Sequence, residues 1–153
     1  MQRRREHRSV GNMADENDHA TRVKAWRRSV GADHSAPASL RALERGFGAV
    51  WRRAHVTLGD VTLTAIGDRV LHDAAERYPF LNALRLDPTG ISCEDLAHEA
   101  GSLDTRELDA AVELVVVELL TVLGRLTADV LTPTLHAELA ADADRDDDEE
   151  SAP

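Results

Sequence analysis

Apolar residues recur at three- and four-residue steps from Leu40 onward. Leu40, Leu43, Phe47, Val50, Trp51 and Ala54 form one stripe after the starting signals Ser35, Pro37 and Ser39, which predicts a helix A from about 38 to 54. Gly46 and Gly48 each weaken that helix by about 1 kcal/mol relative to Ala, so they permit close packing or mark a bend. The next stretch is mixed. Val56-Thr57-Leu58 and Val61-Thr62-Leu63-Thr64 alternate as a strand would, leaving a short hairpin over 56–64 as the competing reading. Leu63, Ile66, Val70, Ala74 and Tyr78 restore the helical period and favour a helix B from about 59 to 77, stopped by Pro79.

Phe80, Leu81, Leu84 and Leu86 then lead into Asp87-Pro88-Thr89-Gly90, a turn by its Pro and Gly placement. One local pattern follows twice. Ile91-Ser92-Cys93-Glu94-Asp95-Leu96 and Leu103-Asp104-Thr105-Arg106-Glu107-Leu108 both place a cap residue between an apolar residue and a downstream acid and Leu, the arrangement of a capping box with a hydrophobic staple. They predict a short helix C over Cys93 to Ala100, ended by Gly101, and a helix D from Thr105 to about Leu131. Helix D is apolar on nearly every side, the mark of a buried or paired helix. Its four-three stripe of Leu108, Val112, Val115, Leu119, Val122 and Leu126 is the candidate interaction face. Thr132-Pro133 closes helix D and opens helix E, on which Leu135 and Leu139 give a narrow apolar edge.

The expected fold is therefore all-α, a compact bundle of four to five helices around the long apolar helix D, occupying residues 36–141. Residues 1–35 carry only Val10, Val23, Trp26 and Val30 as apolar anchors and are expected to be disordered, as is the acidic tail 142–153. Charge sharpens the division. Of the 18 basic residues 12 lie before Ala54, whereas 22 of the 28 acidic ones lie from Ala54 onward, so the net charge of −10 conceals a basic lead and an acidic body. Lys24 is the one lysine, which points to codon bias before any selection for guanidinium chemistry. Met13 opens a plausible chain of its own, so residues 1–12 and their four arginines carry little weight.

Several motifs invite chemistry. His72 and Asp73 lie on helix B within Ile66-Gly67-Asp68-Arg69-Val70-Leu71-His72-Asp73, which resembles the phosphoacceptor segment of one class of sensor histidine kinases. The resemblance implies a His that takes a phosphoryl group while the neighbouring acid activates the ring. It covers about eight residues, and no Gly-rich nucleotide box accompanies it, so a separate kinase would have to supply the phosphate. A solvated helical His flanked by Asp68 and Glu76 is the simpler expectation.

Leu96-Ala97-His98-Glu99-Ala100-Gly101 looks like the first half of a helix-turn-helix. The would-be reading helix carries Asp104, Glu107, Asp109 and Glu113 against Arg106, and the phosphate backbone would repel it. Nucleic acid is therefore not an expected partner. Gly101, Asp104 and Glu107 imitate the second half of a calcium loop, but Leu96, His98 and Ala100 occupy positions that need oxygen ligands. Asp95 and His98 supply one Asp-based copy of the paired carboxylate-His motif that a di-iron bundle needs twice, and Asp68, His72 and Glu76 form only a stripe; no metal is expected. Cys93, beside Glu94 and Asp95, reads as a resting, partly buried thiol.

These features describe a non-catalytic protein without cofactor that acts by binding other proteins, itself included, as a homodimer along helix D. The phosphoacceptor role of His72 stands as the alternative. The Arg-rich start lacks the apolar core of a secretory signal and no stretch is long enough to span a bilayer, so no membrane is expected and the cytoplasm is the default location.

Overall fold

The computed structural model describes residues 18–30 and 35–151, with side chains described as far as Arg145. Its elements are α1 over 18–29, α2 (Ala36–Arg77), a 3-10 turn Pro79–Ala83, strands β1 (Arg85–Asp87) and β2 (Gly90–Ser92), α3 (Glu94–Glu99), α4 (Thr105–Leu126) and α5 (Thr132–Ser151). The architecture is all-α, a compact bundle with one two-stranded ribbon.

α2 consists of two helical stretches that abut at Gly59 and differ in direction. Ser35 caps it by accepting from the Ala38 amide, and Pro37 sits in its first turn. At Gly59 the backbone turns to φ 78°, ψ 174°, a left-handed φ that side-chain-bearing residues rarely adopt. Trp51 and Gly67 lie eight residues to either side of it. Along a straight helix sixteen residues span about 24 Å, yet a Cβ built on Gly67 would lie 2.8 Å from Cζ3 of Trp51. α2 is thus a helical hairpin, with one arm before Gly59 and one after. The predicted helices A and B are these arms, and the strand hairpin over 56–64 does not form.

The remaining helices stack on that hairpin. Ser39 bonds to Asp109, so α4 starts beside the start of the first arm and climbs with it toward the Gly59 end. α1 descends alongside, its His19 against Gly124 near the end of α4 and its Arg27 against Asp109 near the start. α5 descends in parallel with α1, His136 meeting His19 and Asp142 meeting Trp26. Leu43, Phe47, Leu63, Leu108, Leu119, Leu120, Leu123, Leu135 and Leu139 fill the space between. Phe47 and Trp51 stack at 5.6 Å between ring centroids. Gly46 serves close packing: a Cβ there would lie 2.3 Å from the Trp26 ring.

Local signals succeed unevenly. Asp104 caps α4 by accepting from the amides of Arg106 and Glu107 at 2.8 and 3.4 Å. The first predicted box does not close. Ser92 belongs to the ribbon opposite Arg85, Asp95 pairs with Arg85 at 3.5 Å, and α3 begins one residue later, behind Cys93, whose side chain makes no cap; Ser92 Oγ accepts from the Glu94 amide at 3.5 Å and not from the Asp95 amide. The Asp87–Gly90 turn joins β1 to β2, with Asp87 Oδ1 accepting from the amide and hydroxyl of Thr89. α4 ends at Leu126 instead of near Leu131, because Ala128 and Asp129 take left-handed φ values of 49° and 63°.

Both predicted tails need correction. Residues 18–29 are helix, with Val23, Trp26 and Val30 buried, and residues 142–151 continue α5, with Asp142 only 4% exposed. Apolar anchors at 23, 26 and 30, with His19 one turn earlier, form a narrow stripe that is stable once α4 and α5 receive it. The expectation of disorder at 1–17, 31–34 and 152–153 lies outside the described residues.

Candidate functional site

α4 was expected to offer one face to a partner. Leu108, Val112, Val115 and Leu119 are instead wholly buried inside the chain, Val122 is half-buried, and Leu126 alone of that stripe is exposed, at 59%. The excess apolar surface of α4 is buried within the chain, chiefly against α2, and α1 touches α4 at Asp109 and beside Gly124.

The exposed end of the stripe opens onto a groove of about 680 Å³ between the second arm of α2 and α4. Ala65, Ile66 and Val122 line it, Val61 and Leu126 stand at the Gly59 end, and Arg69, Asp73, Glu118 and Arg125 supply its charge. Val61 is 87% exposed although the arm it belongs to is otherwise amphipathic, and Val56 and Val130 are also exposed. Arg69 reaches Asp73 at 3.4 Å along the groove wall. The groove therefore combines apolar lining with two charges of each sign.

His72 and Asp73 are not brought together. The His72 side chain is 75% exposed and its Nε2 lies 3.5 Å from Glu76, while Asp73 is engaged by Arg69. Asp95 pairs with Arg85 and His98 is exposed, so the two do not converge either. Among the described residues no group of three or more His, Cys, Asp or Glu could hold a metal, and no helix is long and apolar enough to cross a membrane. Cys93 is 1% exposed and its amide donates to Glu44 Oε1 at 2.8 Å. Burial, with the charge and hydrogen bond of Glu44 adding to it, pushes the thiol up to about 12, so it stays protonated and unreactive at neutral pH.

Three buried polar clusters that sequence reasoning missed hold α1. Arg27, 5% exposed, donates through Nη2 to Ser39 Oγ and Asp109 Oδ1, both at 2.8 Å, and through Nη1 to the Val30 carbonyl. Trp26 Nε1 donates to Asp142 Oδ2 at 3.0 Å, and Arg45 holds the same carboxylate at 3.5 Å. His19 Nδ1 and His136 Nε2 share a hydrogen bond of 2.9 Å with both rings buried. Burial lowers His136 below its ordinary value; the nearby His19 adds to this, Asp18 at 3.8 Å opposes it, and Arg22 lowers it further. The signal for these clusters was a polar residue in register with an apolar stripe: His19 before Val23, and Asp142 after Leu135 and Leu139.

Comparison with protein-family models, with curated proteins and with solved structures finds no match to this chain. The functional reading therefore rests on the geometry above.

Proposed function

We propose that the chain is a non-catalytic interaction protein that pairs with a second copy of itself through the groove between the second arm of α2 and α4. The observation that carries this reading is the exposed pair Val61 and Leu126 at the end of an apolar groove. An isologous interface must be self-complementary, since residue i meets residue j and j meets i. The groove is compatible with that demand, because it carries charges of both signs, Arg69 and Arg125 with Asp73 and Glu118. The seam is thus one end of α4 with α2, in place of the whole α4 stripe. The phosphoacceptor alternative has weaker support: the acid beside His72 is Glu76, and Asp73 serves Arg69.

Sedimentation equilibrium tests it. The chain is expected to dimerise at protein concentrations of about 10–100 µM, the range of a modest interface. Val61→Asp and Leu126→Asp should be monomeric there with unchanged helical content. A monomeric wild type at the top of that range, or a Val61→Asp variant that still dimerises, would overturn the proposal.

A further inference from the structure

We propose that the buried His19–His136 contact is a proton-operated latch that holds the first turns of α1 against α5 and releases them when both rings are charged. The two nitrogens lie 2.9 Å apart with the rings at 76°, and the side chains are nearly excluded from solvent. Such a contact needs one N–H between two nitrogens. It forms when both imidazoles are neutral, and it survives one proton, because an imidazolium can donate to a neutral ring. It cannot survive two, because both facing nitrogens then carry hydrogens and two like charges share a buried site.

The surroundings place the break at the second proton. From α1, Asp18 lies 3.8 Å from His136 Nδ1 and favours the first charge, while Arg22 opposes further charge. From the turn before α5, Asp129 abuts Gly124, as His19 does, and Asp144 of α5 shares a small cavity with His136 and Arg22. α4 presents Gly124 there, and Arg125 beside it lines the groove. The other end of α1 is held by a guanidinium and not by a ring pair. The bonds of Arg27 to Ser39 and Asp109, which involve no histidine, act as the pivot about which the first turns lift. Lifting would uncover Val23 and the face of α4 and α5 beneath it.

Hydrogen exchange on the full chain, corrected for intrinsic rates, reads the opening. Between about pH 7.5 and about pH 5, which bracket the ordinary histidine value, amides of α1 are expected to exchange roughly tenfold or more faster, with α2 and α4 unchanged. Equal protection of α1 at both pH values would overturn the latch. In His136→Gln the carboxamide oxygen accepts from His19 whether or not His19 is charged, so α1 should stay protected at the lower pH. The same acid-dependent loss in that variant would also overturn it. If His136→Gln does not fold, proton NMR of the ring Cε1–H groups in the wild type decides. The second titration must coincide with loss of α1 protection, and two rings that charge while α1 remains protected refute the proposal.

Discussion

The two ends of α1 are pinned by buried polar contacts of different chemistry. At the C-terminal end a permanently charged guanidinium meets a carboxylate, a hydroxyl and a carbonyl, whereas at the N-terminal end two titratable rings share one hydrogen. Both give buried polar groups partners, although Arg27 Nε is buried without a hydrogen bond. Only the second contact depends on protonation within the physiological range. A helix with just three apolar anchors therefore has one fixed end and one conditional end, which a wholly apolar seam would not provide.

The strongest way to break this contrast is at the fixed end. Asp109→Ala leaves Arg27 buried without its counter-charge and is expected to cost about 3 kcal/mol, the lower part of the range for an orphaned buried charge, because Ser39 and Val30 still accept from it. Urea denaturation measures it, and a cost below about 1 kcal/mol would show that the fixed end is not fixed by charge. Between the two ends, Gly46→Ala drives a methyl into the Trp26 ring at 2.3 Å. Overpacking of this kind costs about 1–3 kcal/mol, partly offset by the better helix propensity of Ala, and should appear as a lowered melting temperature with a red-shifted indole emission.

At the conditional end the effect is one of pH. His136 is lowered in the folded state, so the unfolded chain binds the proton more readily as pH falls through the ordinary histidine value. Its favourable contribution is complete above that value and is lost progressively below it. Urea midpoints of the wild type should therefore fall between about pH 7.5 and about pH 5.5, and His136→Gln should flatten that slope. An equal slope in both would locate the acid sensitivity elsewhere. Smallest in stability is Val61→Asp. Its side chain is 87% exposed, and its unfolding free energy should change by no more than about 0.5 kcal/mol, while sedimentation reports loss of the dimer.

Much of the bundle was legible because its signals are local. Asp104 and Glu107 mark the start of α4 within four residues, Asp87 and Gly90 bracket a turn, and the change of period around 56–64 marks the hairpin bend that Gly59 makes. Misreadings fell where the deciding partner is far away in sequence. Ser92 reads as a cap until β1 claims its backbone. The acidic run from Asp142 reads as a solvated tail until Trp26 and Arg45, 116 and 97 positions earlier, take up its carboxylate, Arg45 bonding its backbone carbonyl as well. The candidate site was legible only in part: Val122 and Leu126 lie on the predicted stripe and do line the groove, whereas the residues before them on that stripe are core.

The sequence by itself determined that this chain is a helical bundle with a strongly apolar α4, because periodicity, caps and turns act over a few residues. The tertiary structure decided what covers α4. Once α2 packs along it, with α1 touching it at Asp109 and Gly124, the excess surface that suggested a long seam is used within the chain. What remains exposed is the short groove at the Gly59 end. Burial belongs to the assembled bundle, since a helix with three apolar anchors has no reason to form until the surface that receives it exists.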